Sequence, residues 1–374
     1  MMITPDNFFN FLIKNQIDFF TGVPDSLLKD ICAYISDHST NSKHIITANE
    51  GNAIALATGH YLSSKKLSLV YMQNSGLGNA INPLTSLTNS EVYSIPIILM
   101  IGWRGAPNIK DEPQHLLPGQ ITPKILDLLN IDYKILDHTK WQSQLEDLID
   151  IATSKSSPVA ILVEKNTFAP YTSKPNLSSF NLSREQSLSI IITNLQGDEI
   201  IVSTTGKLSR ELYEIREQKN MSHKFDFMTI GAMGHALSIA SGIALNNPHK
   251  KIICFDGDGS SLMHMGSMGI TASLNHNNLT HIIFNNQTHQ SVGGQQTIGG
   301  EIDYENISKG LGYKNYFKVQ TIDELIKVIR NISLYENLTL IEIKINNNSR
   351  NNLGRPTTTP IENKEKFMEF LLDG

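Results

Sequence analysis

The sequence predicts an α/β protein built as two doubly wound parallel-sheet domains. Three observations predict it. Continuous apolar runs of strand length recur along the chain, helical patterns alternate with them, and one polar, aperiodic stretch interrupts the series near the middle. Such runs belong to strands buried on both faces, the habit of parallel sheets covered by helices. At about 150 residues per domain, 374 residues also suggest two or three domains.

The elements follow in order. Thr4-Pro5-Asp6 is a helix start, and Phe8, Phe9, Leu12 and Ile13 continue at helical spacing. Residues 19–24 read as a strand running into a turn, and 44–46 as a short strand. Residues 50–61, rich in Ala and small side chains, read as a buried helix. Residues 67–72, 95–101 and 159–163 are strand-length apolar runs. From 169 to 183 the chain loses its period among Pro170, Tyr171, Pro175 and a Ser/Asn cluster. This places an inter-domain linker at 169–183, between domains spanning 1–168 and 184–374. The alternation then resumes. Strands are expected at 199–203, 251–255, 280–284 and 338–345, with helices at 210–217, 236–245 and 325–332.

Composition narrows the function classes. Hydrophobic residues make up 40% and charged residues 18%, enough apolar material for packed cores. The net charge is -5 and no Lys/Arg run occurs, so no nucleic-acid partner is expected. Cys32 and Cys254 are too few for a disulfide framework or a thiolate zinc site. No apolar run approaches the roughly 20 residues that cross a bilayer. The first residues carry no basic n-region or signal-peptide core. The expected setting is the cytoplasm, with a small-molecule substrate and no membrane partner.

The most informative stretch is Lys251-Ile252-Ile253-Cys254-Phe255-Asp256-Gly257-Asp258-Gly259-Ser260. A buried strand ends in an acidic, glycine-flanked turn and enters a helix. Gly257 and Gly259 let the backbone approach a ligand, and the helix start offers N–H groups to phosphate oxygens. A second strand ends in Asn285-Asn286, with Asn286 28 residues after Asp258, about one crossover. Both ends fall at the carboxyl edge of the sheet, where open α/β folds bind ligands. One carboxylate, one amide oxygen and a backbone carbonyl suit Mg²⁺ or Ca²⁺, with diphosphate and water filling the other positions. Neither the dinucleotide glycine fingerprint nor the Walker pattern is present.

On these residues the sequence resembles the thiamine diphosphate (ThDP) enzyme superfamily, whose diphosphate and metal motif is Gly-Asp-Gly followed by Asn-Asn. The resemblance implies a pyrimidine domain followed by a diphosphate domain. It makes Asp258 and Asn286 side-chain Mg²⁺ ligands and the Thr288 carbonyl a backbone ligand. Glu50, in Ala48-Asn49-Glu50-Gly51-Asn52-Ala53, starts a small-residue helix. By itself it reads equally as an acid favoured by the helix dipole. The resemblance makes it the acid that drives the aminopyrimidine into its imino form. Asn74-Ser75-Gly76-Leu77-Gly78-Asn79 is similar to the Ser-Gly-Pro-Gly turn of pyrimidine domains, with Leu77 in place of Pro. Gly231-Ala232-Met233-Gly234 is similar to the segment whose large residue props the cofactor in its bent form, which makes Met233 the wedge.

The linker is too short for a middle domain. That is similar to the compact two-domain group of phosphonopyruvate and sulfopyruvate decarboxylases. Gly22 to Leu28, Trp103-Arg104-Gly105, Asp111 to His115, Thr204 to Lys207, Met263 to Gly266, His289 to Gln295 and Leu353 to Thr357 resemble the phosphonopyruvate decarboxylase family. In that group the cofactor lies between domains of different subunits, which implies a homodimer or higher homo-oligomer. Arg104, Lys207, His289, Arg350 and Arg355 are candidates to hold a phosphonate, since Arg pairs oxyanions bidentately. Asp25 and His115 are the proton-transfer candidates, although Asp25 reads equally as a helix N-cap. His235 and His264 read as structural. The activity so implied is decarboxylation of 3-phosphonopyruvate to phosphonoacetaldehyde and CO₂ in phosphonate biosynthesis. Alternatives are sulfopyruvate, another 2-keto acid or acetolactate-type chemistry, and a non-catalytic partner subunit of the same fold.

Overall fold

The computed structural model describes residues 2–173, 178–350 and 352–372, so residues 174–177 of the expected linker lie outside the described residues. The chain divides into two compact units: residues 1–175 with 289–296, and residues 176–288 with 297–374.

The first unit holds β1 (Phe20–Gly22), β2 (His44–Ile46), β3 (Leu69–Gln73), β4 (Ile98–Gly102), β5 (Asp132–Ile135) and β6 (Val159–Val163). They form one sheet in the order β2-β1-β3-β4-β6-β5, every pair parallel. Alternation along the strands explains the uninterrupted apolar runs. Leu69, Tyr71, Met100 and Ile161 enter one core cluster, while Val70, Met72, Leu99 and Leu162 enter another. Both faces are therefore dry. Each fully buried aliphatic side chain contributes roughly 1.5–3 kcal/mol.

The second unit holds β7 (Ile200–Ser203), β8 (Asp226–Met228), β9 (Ile252–Gly257), β10 (Leu279–Asn285), β11 (Asn315–Val319) and β12 (Thr339–Lys344). The order is β11-β12-β10-β9-β7-β8, again all parallel. Ile253, Phe255 and Ile341 face one cluster; Ile252, Cys254 and Leu340 face the other. Read outward from its second strand, this is the strand order of the first unit. In each sheet the order reverses beside the unit's first strand, which opens the crevice where such folds bind ligands.

Three differences from the expected elements have physical causes. Helix Pro113–Leu128 contains Pro118 and Pro123, which read as breakers in sequence. Strands β5 and β11 lie at sheet edges with half-buried, polar-rich faces, so they lack the apolar signature of the central strands. Asp25 does not cap the following helix. That helix is Lys29–His38 with Leu28 as its N-cap, while Leu27 N donates to Asp25 Oδ1 in the preceding turn (2.8 Å).

Candidate active site

In the first unit, four of the singled-out segments meet at the carboxyl ends of β1, β3 and β4. Asp25, just past β1, is wholly buried. Gln73, the last residue of β3, donates from Nε2 to Asp25 Oδ2 (2.7 Å). A Cβ on Gly102, at the end of β4, would run into Asp25 Oδ1. Burial raises the Asp25 carboxyl above its usual range. Arg104 donates from NH1 to Ser26 Oγ (2.9 Å) and clasps Asp111 through Nε (2.7 Å) and NH2. Asn74 staples the same turn, donating to Arg104 O (2.9 Å) and accepting from Arg104 N (3.1 Å). The Arg104 charge is thus already matched by a carboxylate.

Glu50 opens helix Glu50–Ser64, with Asn49 as N-cap accepting from Gly51 N. Its side chain is buried, and Asn79 Nδ2 donates to Glu50 Oε2 (2.7 Å). A Cβ on Gly76 would collide with Glu50 Oε1, so glycine there is required by the acid. Burial raises the Glu50 carboxyl above its usual range. His115 is half-buried, its Nδ1 lacks a partner, and burial pushes it down to about 4, which leaves it neutral at pH 7.

In the second unit, three further segments converge. Ser260 Oγ shares a 2.8 Å hydrogen bond with Thr204 Oγ1, just past β7, and accepts from Gly234 N (3.0 Å). This ties Gly257 to Ser260 to the Met233 turn, where Ala232 and Gly234 hold left-handed backbone. Met233 is half-buried. Asp258 is buried, and burial raises its pKa to about 6. Thr297 Oγ1 donates to Asp258 Oδ2, and a Cβ on Gly299 would press on the same oxygen at 2.6 Å. Asn286 is buried, with Oδ1 accepting from Thr288 N (3.0 Å). Thr288 Oγ1 is buried without a partner. Beneath the turn, Asp256 accepts from Gly257 N (3.0 Å) and lies 3.5 Å from His281 Nε2.

The remaining cation candidates separate. Lys207 opens helix Lys207–Gln218 and donates to Ser349 Oγ (2.7 Å); burial, then Arg184, lowers its pKa. Among the described residues Lys207 makes no ion pair. Arg350 is clasped by Glu185 (2.9 Å to each oxygen from Nε) and Glu214, a pairing that spends its charge within the protein. Arg355 is exposed, on a segment fixed by Arg210 to Gly354 O (2.6 Å) and Tyr213 to Thr357 (2.7 Å). Burial pushes His289 down to about 4, so at pH 7 it is not a cation. Sequence reasoning missed Gln73, Asn79 and Thr297 as partners of Asp25, Glu50 and Asp258. Gln73 left one signal, a polar residue closing an apolar strand.

Among the described residues, the buried acids Asp25, Glu50 and Asp258 form no ion pair with Lys or Arg. The family described as thiamine pyrophosphate enzyme, N-terminal TPP binding domain, matches residues 4–127, and the C-terminal TPP binding domain matches residues 204–343. A phosphonopyruvate decarboxylase from Streptomyces viridochromogenes is 32% identical, covering 94% of this chain and 90% of that protein. One from Streptomyces hygroscopicus is 32% identical over 93% and 89%. A sulfopyruvate decarboxylase from Methanosarcina acetivorans is 28% identical over 96% and 95%. No helix among the described residues is long and apolar enough to cross a membrane. The chain belongs to the thiamine pyrophosphate-dependent decarboxylases, carboxy-lyases of the phosphonopyruvate decarboxylase family.

Proposed function

We propose that this chain decarboxylates 3-phosphonopyruvate to phosphonoacetaldehyde and CO₂, using thiamine diphosphate with Mg²⁺, as a homodimer or higher homo-oligomer. Similarity to two enzymes named for that substrate, over nine-tenths of the chain, carries the choice. The step would draw product away from formation of a carbon–phosphorus bond in phosphonate biosynthesis.

The residues present fit the cofactor and its cation. Asp258 is a buried carboxylate without an ion-pairing Lys or Arg among the described residues, the donor a hard cation needs. Asn286 Oδ1 and the Thr288 carbonyl complete the protein's share, with Gly257, Gly259 and Ser260 leaving room for diphosphate. Glu50, with Gly76 held against it, is the pyrimidine acid, and Met233 is the wedge. When bound, thiamine diphosphate supplies a thiazolium carbanion and an electron sink. Glu50 Oε1 holds and returns a proton at the pyrimidine end, a task suited to a carboxyl whose pKa burial has raised. Asp25, oriented by Gln73 and Leu27, supplies a proton to the product carbon from Oδ2. His115, neutral at pH 7 and with Nδ1 unpartnered, is the second proton-transfer candidate. Lys207 holds the phosphonate, with Arg355 a further candidate, while Arg104 shapes the turn around Asp111.

The test is a product assay. Protein with thiamine diphosphate, Mg²⁺ and phosphonopyruvate should release CO₂ and phosphonoacetaldehyde, with kcat/KM at least about tenfold above that for sulfopyruvate. A preference for sulfopyruvate, the substrate for which the Methanosarcina relative is named, would overturn the substrate while leaving the chemistry intact.

A further inference from the structure

We propose that Gln295 binds the acidic head group of the substrate through both ends of its amide, and so favours a phosphonate over a sulfonate. The inference rests on the keto-acid reading above and names a residue that selects within it. Among the described residues, Gln295 is the one side chain with both polar atoms buried and unpartnered; neither Oε1 nor Nε2 has a hydrogen bond, at 6% exposure. Folded proteins seldom leave an amide in that condition, and a ligand is an ordinary remedy.

The surrounding loop is built to hold it so. Residues 286–297 leave the carboxyl edge of β10. Thr297 N closes the base on Gln287 O (2.9 Å), and Thr297 Oγ1 donates to Asp258. Inside, His289 N donates to Gln295 O (2.8 Å), while Gly294 N and Val292 N both donate to His289 O (3.0 and 3.1 Å). Gly293 and Gly294 take φ of 136° and 80°, and a Cβ on Gly293 would press on the Gln295 amide at 2.7–2.8 Å. The backbone on either side of Gln295 is fixed by the loop's own hydrogen bonds, yet the amide is left unbonded. Gln295 stands two residues from the threonine that bonds the Asp258 carboxylate.

The amide offers two donors at Nε2 and an acceptor at Oε1. A singly ionised phosphonate offers both complements, acceptor oxygens and one P–OH donor. A sulfonate at neutral pH has acceptors only, and would leave Oε1 unpaired. A site whose polar group is left unpaired rejects the analogue. No bond is made or broken in this step.

The experiment uses Gln295→Met, which keeps the length and removes both functions, and Gln295→Glu, which keeps acceptors only. The Met variant should raise KM for phosphonopyruvate about thirtyfold with kcat changed less than about threefold. Calorimetry should show 3-phosphonopropionate binding weakened in step, and thiamine diphosphate–Mg²⁺ affinity held within about twofold. The wild-type preference for phosphonate should decline as pH rises through the second phosphonate ionisation; that slope should vanish in Gln295→Met and persist or steepen in Gln295→Glu, whose carboxylate still accepts from the P–OH and repels the dianion. Unchanged 3-phosphonopropionate binding, or an equal loss of cofactor affinity, would overturn the proposal. Should the wild-type enzyme turn over sulfopyruvate alone, the substrate reading fails, and the 3-phosphonopropionate measurement still decides the role of Gln295.

Discussion

The two units share a strand order and differ in how they treat buried charge. In the second unit, three interior acids are met by cations. Arg184 clasps Glu211 with two bonds of 2.7 Å, Arg216 clasps Asp226 at 2.7 and 2.8 Å, and Lys344 meets Glu342 at 2.6 Å. In the first unit, Asp25 and Glu50 are met by the amides of Gln73 and Asn79, and burial raises both carboxyls. An amide orients a carboxyl without fixing its charge, so the proton stays exchangeable; a guanidinium locks the group into structure. Asp258 in the second unit differs from those three, as do Glu199, which accepts from the backbone N–H groups of Gln196 and Gly197, and Asp256. Asp258 is buried, its pKa is raised to about 6, and among the described residues it lacks an ion-pairing Lys or Arg. On the proposed function, the bound cation supplies its counter-charge.

Substitutions can break this contrast. The largest effect is expected from Glu50→Gln, which should lower turnover about a thousandfold or more while calorimetry still registers thiamine diphosphate binding. Asp258→Asn should show the reverse pattern. The stabilisation by cofactor with Mg²⁺, on the order of 2–3 kcal/mol at a hundredfold excess over Kd and read as a rise in melting temperature, should disappear. Should both variants fail in the same way, the division of labour between the units is wrong.

Gly76→Ala sharpens the contrast from a distance. Its methyl would displace Glu50 Oε1, and a shift near 1 Å costs about a hundredfold in kcat with cofactor affinity little changed. The smallest effect concerns stability. Burial raises the Asp25 pKa, so the folded chain keeps a proton there that the unfolded chain has released. Stability from this group is present in acid and lost as pH rises through the raised value. Asp25→Asn removes that loss. At pH 8 the variant should melt roughly 2–4 °C higher, equivalent to about 1 kcal/mol in a domain this size, and near pH 4 the difference should close. A variant that melts lower at pH 8 would show that Asp25 is stabilising rather than strained.

Central strands were legible in the sequence because burial on both faces writes itself as an unbroken apolar run, as in Leu69 to Met72 and Ile252 to Phe255. Edge strands β5 and β11 were not, because a half-wet strand mixes polar and apolar residues without a fixed period. Helix Pro113–Leu128 was hidden by its own prolines, which tertiary packing tolerates. Among the candidate site residues, Asp258 stands out in sequence as an acid flanked by glycines at the end of an apolar run and Asn286 as an amide ending another, while Glu50 stands out only through the resemblance to thiamine diphosphate enzymes. Their partners do not. Asn79 lies 29 residues from Glu50 and Thr297 lies 39 from Asp258, separations that only the fold closes. Arg104 and Arg350 looked available in sequence for the same reason, since Asp111, Glu185 and Glu214 carry no local mark as their partners.

Each unit draws its two apolar clusters from its own residues alone. Between Phe168 and Leu182 the described residues enter none of these clusters, so a break there would open neither hydrophobic interior. Residues 289–296 group with the first unit from beyond that stretch, so such a break would part them from it in sequence.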